Sequence, residues 1–148
     1  MKKQTQVMVG ALVLMILVTV SIANGQSASQ RFTATVPFEF TVGDKTLPAG
    51  EYEIAIVNPS SDQRVLRIRS IEGTESAIVH THSVNSKTTT DAKLVFRGYG
   101  KRYFLGQAWT GAASDGLETS KSQEEKQYRN EYTPSRQRME IVKLNRPK

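Results

Sequence analysis

The sequence has 148 residues, a formal net charge of +6 and no cysteine. The missing cysteines exclude disulfides and lipid attachment through a cysteine, so an exported domain of this chain must rely on an ordinary hydrophobic core. The positive surplus is small for this length, and we expect no nucleic-acid partner.

The first 25 residues have the order of a signal peptide. Lys2 and Lys3 precede an apolar run at residues 7–20, and small or polar residues follow it. This order predicts export, with cleavage near Ala23 or Gly25. The protein is therefore expected in the periplasm, in the cell envelope or outside the cell.

Removal of 25 residues leaves 123, a length typical of one domain. Nine of the eleven aromatic residues lie between Phe32 and Trp109, which places the core in the first part of that domain. We predict a signal peptide at 1–25, a β-sandwich domain at 26–110 and a charged tail at 111–148. The alternative is an uncleaved anchor: residues 7–23 supply 17 residues, where a transmembrane helix needs about 20.

Alternation of apolar and polar residues with a period of two predicts strands with one buried face. The first strand, Phe32 to Val42, contains Pro37. Because proline cannot donate a ladder hydrogen bond, this strand is expected at a sheet edge or in two pieces. A turn at Gly43 then closes a hairpin that sets Phe40 opposite Leu47.

Three further strands are predicted at 51–57, 64–71 and 76–83, separated by stretches rich in turn-forming residues. The inward face of the third of these is left open, because two sets of alternating residues compete for it. One set is Ala77, Val79 and Thr81, and the other is Ile78, His80 and His82.

The clearest hairpin joins strands at 94–99 and 102–109 through Gly100-Lys101. Its expected register sets Phe96 opposite Leu105, Arg97 opposite Phe104 and Gly98 opposite Tyr103. Beyond it, residues 111–116 are predicted as a small-residue loop. Ser120 and Gln123 could cap a short helix running to about Tyr132. A last strand at 139–144 is a further prediction.

Strands at this spacing, with turns every 8 to 12 residues, predict an all-β fold. We expect an antiparallel β-sandwich or small barrel of seven to eight strands. The helix has a poor apolar face, so a short peripheral helix or a partly disordered C-terminal tail is expected.

A resemblance to a known group of proteins rests on two runs of sequence. They are VPFEFTVGDKTLPAGEY at residues 36–52 and LVFRGYGKRYFL at residues 94–105, followed by Trp109. These runs resemble a group of small exported bacterial proteins that share a VPFxFxVGxKxLPAGxY start and a KLVFxRYGxRYFL-type hairpin. The resemblance covers roughly residues 32–125. It implies one exported domain and adds no catalytic residue.

His80 and His82 form the sharpest candidate for chemistry. Residues i and i+2 of a strand project from the same face and could bind one metal ion. They are the only two histidines, so an acid such as Glu53, Glu75 or Asp91 would have to complete the site. The alternative is two ordinary histidines on a solvated face.

Other catalytic patterns find no support in the sequence. There is no cysteine, no Gly-x-Ser-x-Gly elbow and no glycine-rich phosphate loop. We therefore predict a protein that is not an enzyme and needs no cofactor. It would act as a binding or structural module of the cell envelope. The alternatives are a metal-binding protein or metal-dependent enzyme using His80 and His82, and a membrane-anchored structural protein.

Basic and aromatic residues provide the candidate binding surface. If the strand at 64–71 and the hairpin at 93–109 share one sheet, Arg67, Arg69, Arg97, Tyr99 and Arg102 lie on a common outer face. Arginine beside aromatic rings could bind acidic partners, such as an envelope polysaccharide or another envelope protein. Solubility and protection of a sheet edge would explain the same charges.

Overall fold

The computed structural model describes residues 30–58, 64–85, 91–111, 115–132 and 137–146. The predicted signal peptide, its cleavage points and the alternative anchor lie outside these residues. Within the described part of the chain, no helix combines the length and the apolar composition that crossing a membrane would require.

The predicted all-β class is confirmed, with ten strands rather than seven or eight in the described residues, and one short helix. The elements are β1 (Arg31–Val36), β2 (Phe40–Val42), β3 (Lys45–Leu47), β4 (Gly50–Val57), β5 (Arg64–Ser70), β6 (Ser76–Asn85), β7 (Ala92–Tyr99), β8 (Arg102–Thr110), β9 (Asp115–Thr119), α1 (Gln123–Glu131) and β10 (Gln137–Lys143). The strand predicted from Phe32 to Val42 is interrupted at Pro37 and forms two strands, β1 and β2, as expected because proline has no N–H to donate.

One antiparallel sheet accounts for most of the chain. Its strands follow the order β1, β4, β5, β6, β9, β8, and β7 and β10 continue from the other side of β8. The β2–β3 hairpin joins β8 through a short parallel contact between Thr41 and Phe104. The described sheet remains open, and a single bridge between Thr33 and Asn145 brings the end of β10 beside β1.

The core lies between the inward faces of these strands. The β2–β3 hairpin has the predicted register, with Phe40 opposite Leu47. The ring of Phe40 packs edge-on against Tyr52 and Phe96, at centroid distances of 5.2 and 5.3 Å. On β6 the inward set is Ala77, Val79 and Thr81, which resolves the choice that the sequence left open.

The segment 111–148, predicted as a charged tail with a possible short helix and last strand, contains both of these elements and a further strand, β9. The strand β9 begins at Asp115, inside the predicted loop, and pairs with both β6 and β8. The strand β10 pairs along β7 and contributes Val142 to the core. The helix begins after Ser122 rather than after Ser120, because the Ser122 hydroxyl accepts a hydrogen bond from the Glu125 N–H. Strands on both sides of residue 110 therefore belong to one sheet.

Candidate binding surface

Two of the five predicted binding residues lie together on β5. Leu66 and Ile68 point into the core, so Arg67 and Arg69 project from the outward face. In the cross-strand register Arg67 lies between Ala55 and Ile78. We call the outward residues Arg67, Arg69, Ile78 and His80 of β5 and β6 the arginine face.

The guanidinium of Arg67 has few partners on this face. Its Nη2 is 3.9 Å from Glu53 Oε1, which is too long for a hydrogen bond. Its Nε is buried, and no described residue accepts a hydrogen bond from it. Next to it, the side chain of Ile78 is 66% exposed. The buried Nε cannot reach a ligand, but the Arg67 side chain is 40% exposed. Its terminal nitrogens, beside an exposed apolar side chain, suit a ligand that supplies acceptor oxygens.

The two histidines lie on the outward side of β6. Both are exposed, and His80 is placed opposite Val65. The Nε2 atom of His82 is 3.4 Å from Glu118 Oε2 on β9. Among the described residues, no group of three histidines, cysteines or acids is arranged to hold a metal ion. In this structure His82 therefore has one acidic neighbour, and His80 contributes to the arginine face.

Arg97 and Tyr99 do not lie on a solvated outer face, and that prediction is wrong for both. The helix α1 covers this part of β7, which leaves Arg97 5% and Glu125 2% exposed. Arg97 donates from Nε to Glu125 Oε1 at 2.5 Å and from Nη2 to Glu125 Oε2 at 3.0 Å. The Tyr99 hydroxyl donates to Glu125 Oε1 at 3.1 Å. We call Arg97, Tyr99, Thr119 and Glu125 the buried polar cluster.

A bulge in β8 makes room for this cluster. The β7–β8 register shifts between Val95 and Phe96, which leaves Gly106 as the extra residue. A Cβ atom at Gly106 would lie 2.9 Å from Arg97 Nη1, so the arginine needs a glycine beneath it. The Thr119 hydroxyl donates to Leu105 O at the bulge, at 2.5 Å. The cluster thus satisfies its own polar groups, and its geometry is that of a structural ion pair.

Arg102 lies at the rim of α1, apart from β5. Its Nη1 is 3.7 Å from Glu39 Oε1, and its guanidinium carbon is 5.6 Å from the centroid of the Tyr128 ring. Between β5 and β7 the sheet inserts β6, β9 and β8, which is four strand spacings or about 19 Å. The hairpin residues Arg97, Tyr99 and Arg102 therefore do not share one surface with Arg67 and Arg69.

We expect the free energy of unfolding to decrease at alkaline pH because of Tyr99 in the buried polar cluster. Burial raises the pKa of Tyr99 above its ordinary value, and the Glu125 carboxylate raises it further, while Arg97 and Arg129 act in the opposite direction. In the unfolded chain the phenol ionises near pH 10. The free energy of unfolding should therefore be insensitive to this group below about pH 10 and fall as the pH rises through the folded pKa.

Urea unfolding at a series of pH values checks this expectation. Tyr99→Phe should reduce the alkaline slope without abolishing it, because burial also raises the pKa of Tyr52. Tyr128→Phe is the control for loss of a phenol hydroxyl outside the cluster. An unchanged slope in Tyr99→Phe would contradict the assignment.

Glu125 is the residue that sequence reasoning missed. The signal for it was present, since Ser122 and Glu125 have the Ser-x-x-Glu spacing of a capping box. In the structure Ser122 caps the helix as that spacing predicts. The Glu125 carboxylate, however, turns to Arg97 in the sheet. The Ser122–Glu125 spacing would have given the start of the helix, which we predicted from Ser120 and Gln123, but not the contact of Glu125 with Arg97.

Comparison of the chain with models of protein families, with curated proteins and with solved structures finds no match. A functional proposal must therefore rest on the residues that the fold exposes. Among these, the arginine face combines positive charge with an exposed apolar side chain.

Proposed function

We propose that the protein is an exported, non-enzymatic binding module of the cell envelope, and that its arginine face binds an acidic polysaccharide. The observation that carries this proposal is Arg67, a 40% exposed side chain whose Nη2 has Glu53 only at 3.9 Å and which lies next to the exposed Ile78. Export is supported by the signal-like order of residues 1–25 and by the resemblance to small exported bacterial proteins.

The form of the surface favours an extended acidic ligand. Arg67 and Arg69 are two residues apart on one strand, so their Cα atoms are about 7 Å apart and both side chains leave the same face. A guanidinium can donate two parallel hydrogen bonds to one carboxylate. A polymer with repeated carboxylates could therefore engage both arginines at once.

A protein partner fits this face less well. The centre of a protein interface is usually apolar and poor in charge. Here Ile78 is flanked by Arg67 across the strand and followed by His80 on the same face. Two arginines and one acid, Glu53, lie beside the isoleucine, so the face keeps a positive surplus, which favours a polyanion over a protein.

The buried polar cluster has a structural role and is not part of the proposed binding surface. Arg97 and Glu125 are the most deeply buried charged residues described, and each satisfies the other beneath α1. Charges held in this way stabilise the sheet and are shielded from a substrate.

Affinity electrophoresis through polygalacturonate tests the proposal. The intact protein should be retarded, and the paired change Arg67→Glu with Arg69→Glu should weaken binding at least about tenfold, since hydrogen bonds to charged groups contribute about 1.5–3 kcal/mol each. Retardation should decrease with added salt. A gel containing neutral dextran should retard neither protein.

The matched control is Lys101→Glu with Lys126→Glu, which changes the net charge equally at two exposed positions outside the arginine face. This control should retain binding. Equal weakening in both variants would show that net charge alone governs retardation and would contradict a role for the arginine face. Absence of retardation in the unmodified protein would also reject the polysaccharide proposal.

A further inference from the structure

The outer edge of β10 carries a row of backbone groups without a described partner. In the described residues β10 forms a ladder with β7 alone, and only Asn145, beyond its end, bridges to β1. The N–H of Asn145 bonds Thr33 O, whereas the N–H of Leu144 bonds Ala92 O on the β7 side. Because these directions alternate along a strand, residues 137, 139 and 141 turn their N–H and C=O to the open edge. The end of β10, near residue 143, lies beside β1.

The side chains along this edge are unusual for an unpaired strand. Met139 is 58% exposed and Ile141 is 59% exposed, on the outward side of β10. The register of β10 against β7 runs from Gln137 to Lys143 without a shift, so no bulge turns the edge away. A straight edge with two exposed apolar side chains can pair with another chain.

The charges on the other side of β10 specify a partner. Side chains alternate between the two faces of a strand, so Arg138 and Glu140 project from the same face of β10 as Val142. If a second β10 runs antiparallel to the first and the pair is centred on Met139, Arg138 of each copy faces Glu140 of the other. The strand is therefore complementary to itself in charge.

We propose that the protein forms a symmetric dimer by antiparallel pairing of β10 with β10 of a second copy, centred on Met139. In this register the two Met139 residues exchange backbone hydrogen bonds, because their N–H and C=O face the open edge. Gln137 of each copy pairs with Ile141 of the other, and two Arg138–Glu140 pairs flank the centre. The sheet then continues from β10 of one copy to β10 of the other across a twofold axis.

Neighbouring registers are less favourable. A pair centred on Glu140 would set the two Glu140 carboxylates opposite each other, and like charges directly opposite destabilise a strand pair. A pair centred on Ile141 would set Glu140 opposite Val142 and lose both ion pairs. The charge pattern therefore selects the register centred on Met139.

Sedimentation equilibrium of the intact protein over a wide range of concentration tests the proposal. We expect a reversible monomer–dimer equilibrium. Arg138→Glu and Glu140→Arg should each shift its midpoint to a concentration at least about tenfold higher, because each change creates two like-charge contacts. Lys126→Glu, on the exposed side of α1, is the control and should leave the midpoint unchanged.

Charge exchange provides the decisive measurement. The double variant R138E/E140R restores both opposite-charge pairs and should recover the dimer. An equimolar mixture of the two single variants should form a mixed dimer at concentrations where neither variant alone associates with itself. Circular dichroism confirms that each variant is folded. A monomer at every concentration, or a dimer that is indifferent to these charges or not recovered by the double variant, would overturn the proposal.

Discussion

Replacing Glu125 by alanine is expected to lower the free energy of unfolding by about 3–5 kcal/mol, the cost of leaving one partner of a buried ion pair alone. The Arg97 side chain is 6% exposed, so water cannot replace the lost carboxylate freely. Its remaining hydrogen bonds run from Nη2 to Leu105 O and Thr119 Oγ1, both 3.4 Å long, and to Thr119 O at 3.5 Å. Tyr99 would also lose its acceptor.

Urea unfolding followed by the fluorescence of the single tryptophan, Trp109, measures this loss. The matched control is Glu124→Ala, an acid in the same helical turn that is not buried, and it should change stability by at most about 0.5 kcal/mol. A loss below about 1 kcal/mol in Glu125→Ala would contradict the burial of the pair.

Removing both charges separates the ion pair from the packing around it. The double change of Arg97 to methionine and Glu125 to leucine leaves no unpaired charge under α1. Because the desolvation of a buried pair offsets much of its attraction, this variant should be more stable than Glu125→Ala alone. A double variant as unstable as the single one would indicate that the two residues contribute through packing rather than through their charges.

The two hairpins could be predicted from the sequence because their information is local. Period-two alternation identifies the strand faces, and a glycine turn fixes the register. Gly43 and Gly100 both have positive φ, at 61° and 62°, as such turns require. The predicted pairs Phe40–Leu47 and Phe96–Leu105 are therefore confirmed.

The burial of Arg97 and Tyr99 could not be predicted in this way. Their outward positions on β7 are correct, but an element 28 residues later in the chain covers them. That helix has no apolar stripe, and the residue that it buries is the charged Glu125. The sequence of α1 therefore predicts a peripheral helix, although in the structure this helix covers part of β7.

The position of β9 depends in part on pairing with a strand distant in sequence. The strand has five residues, and Leu117 is the large apolar residue among them. Such a segment is too short and too polar for periodicity to reveal it. Its place in the sheet comes from hydrogen bonds to β8, which it follows in the chain, and to β6, which is distant in sequence.

Ending the chain at Thr110 is expected to abolish cooperative folding. Without β9, both Ser83 on β6 and Ala108 on β8 lose the partner that Leu117 provides. Without β10 and the residue after it, the core loses Val142 and Leu144. Loss of α1 also exposes Arg97 without its carboxylate. These losses together should exceed the total stability of a domain this size, about 5–15 kcal/mol.

Urea titration monitored by circular dichroism and tryptophan fluorescence measures the effect of this truncation. The shortened chain should show no sigmoidal transition, since the remaining strands leave two long unpaired edges in the middle of the sheet. A chain ending at Arg146 keeps every described residue and is the control that should unfold cooperatively. A sharp transition in the chain ending at Thr110 would instead show that residues up to 110 form an independent domain, with β9, α1 and β10 added to a sheet that is already stable.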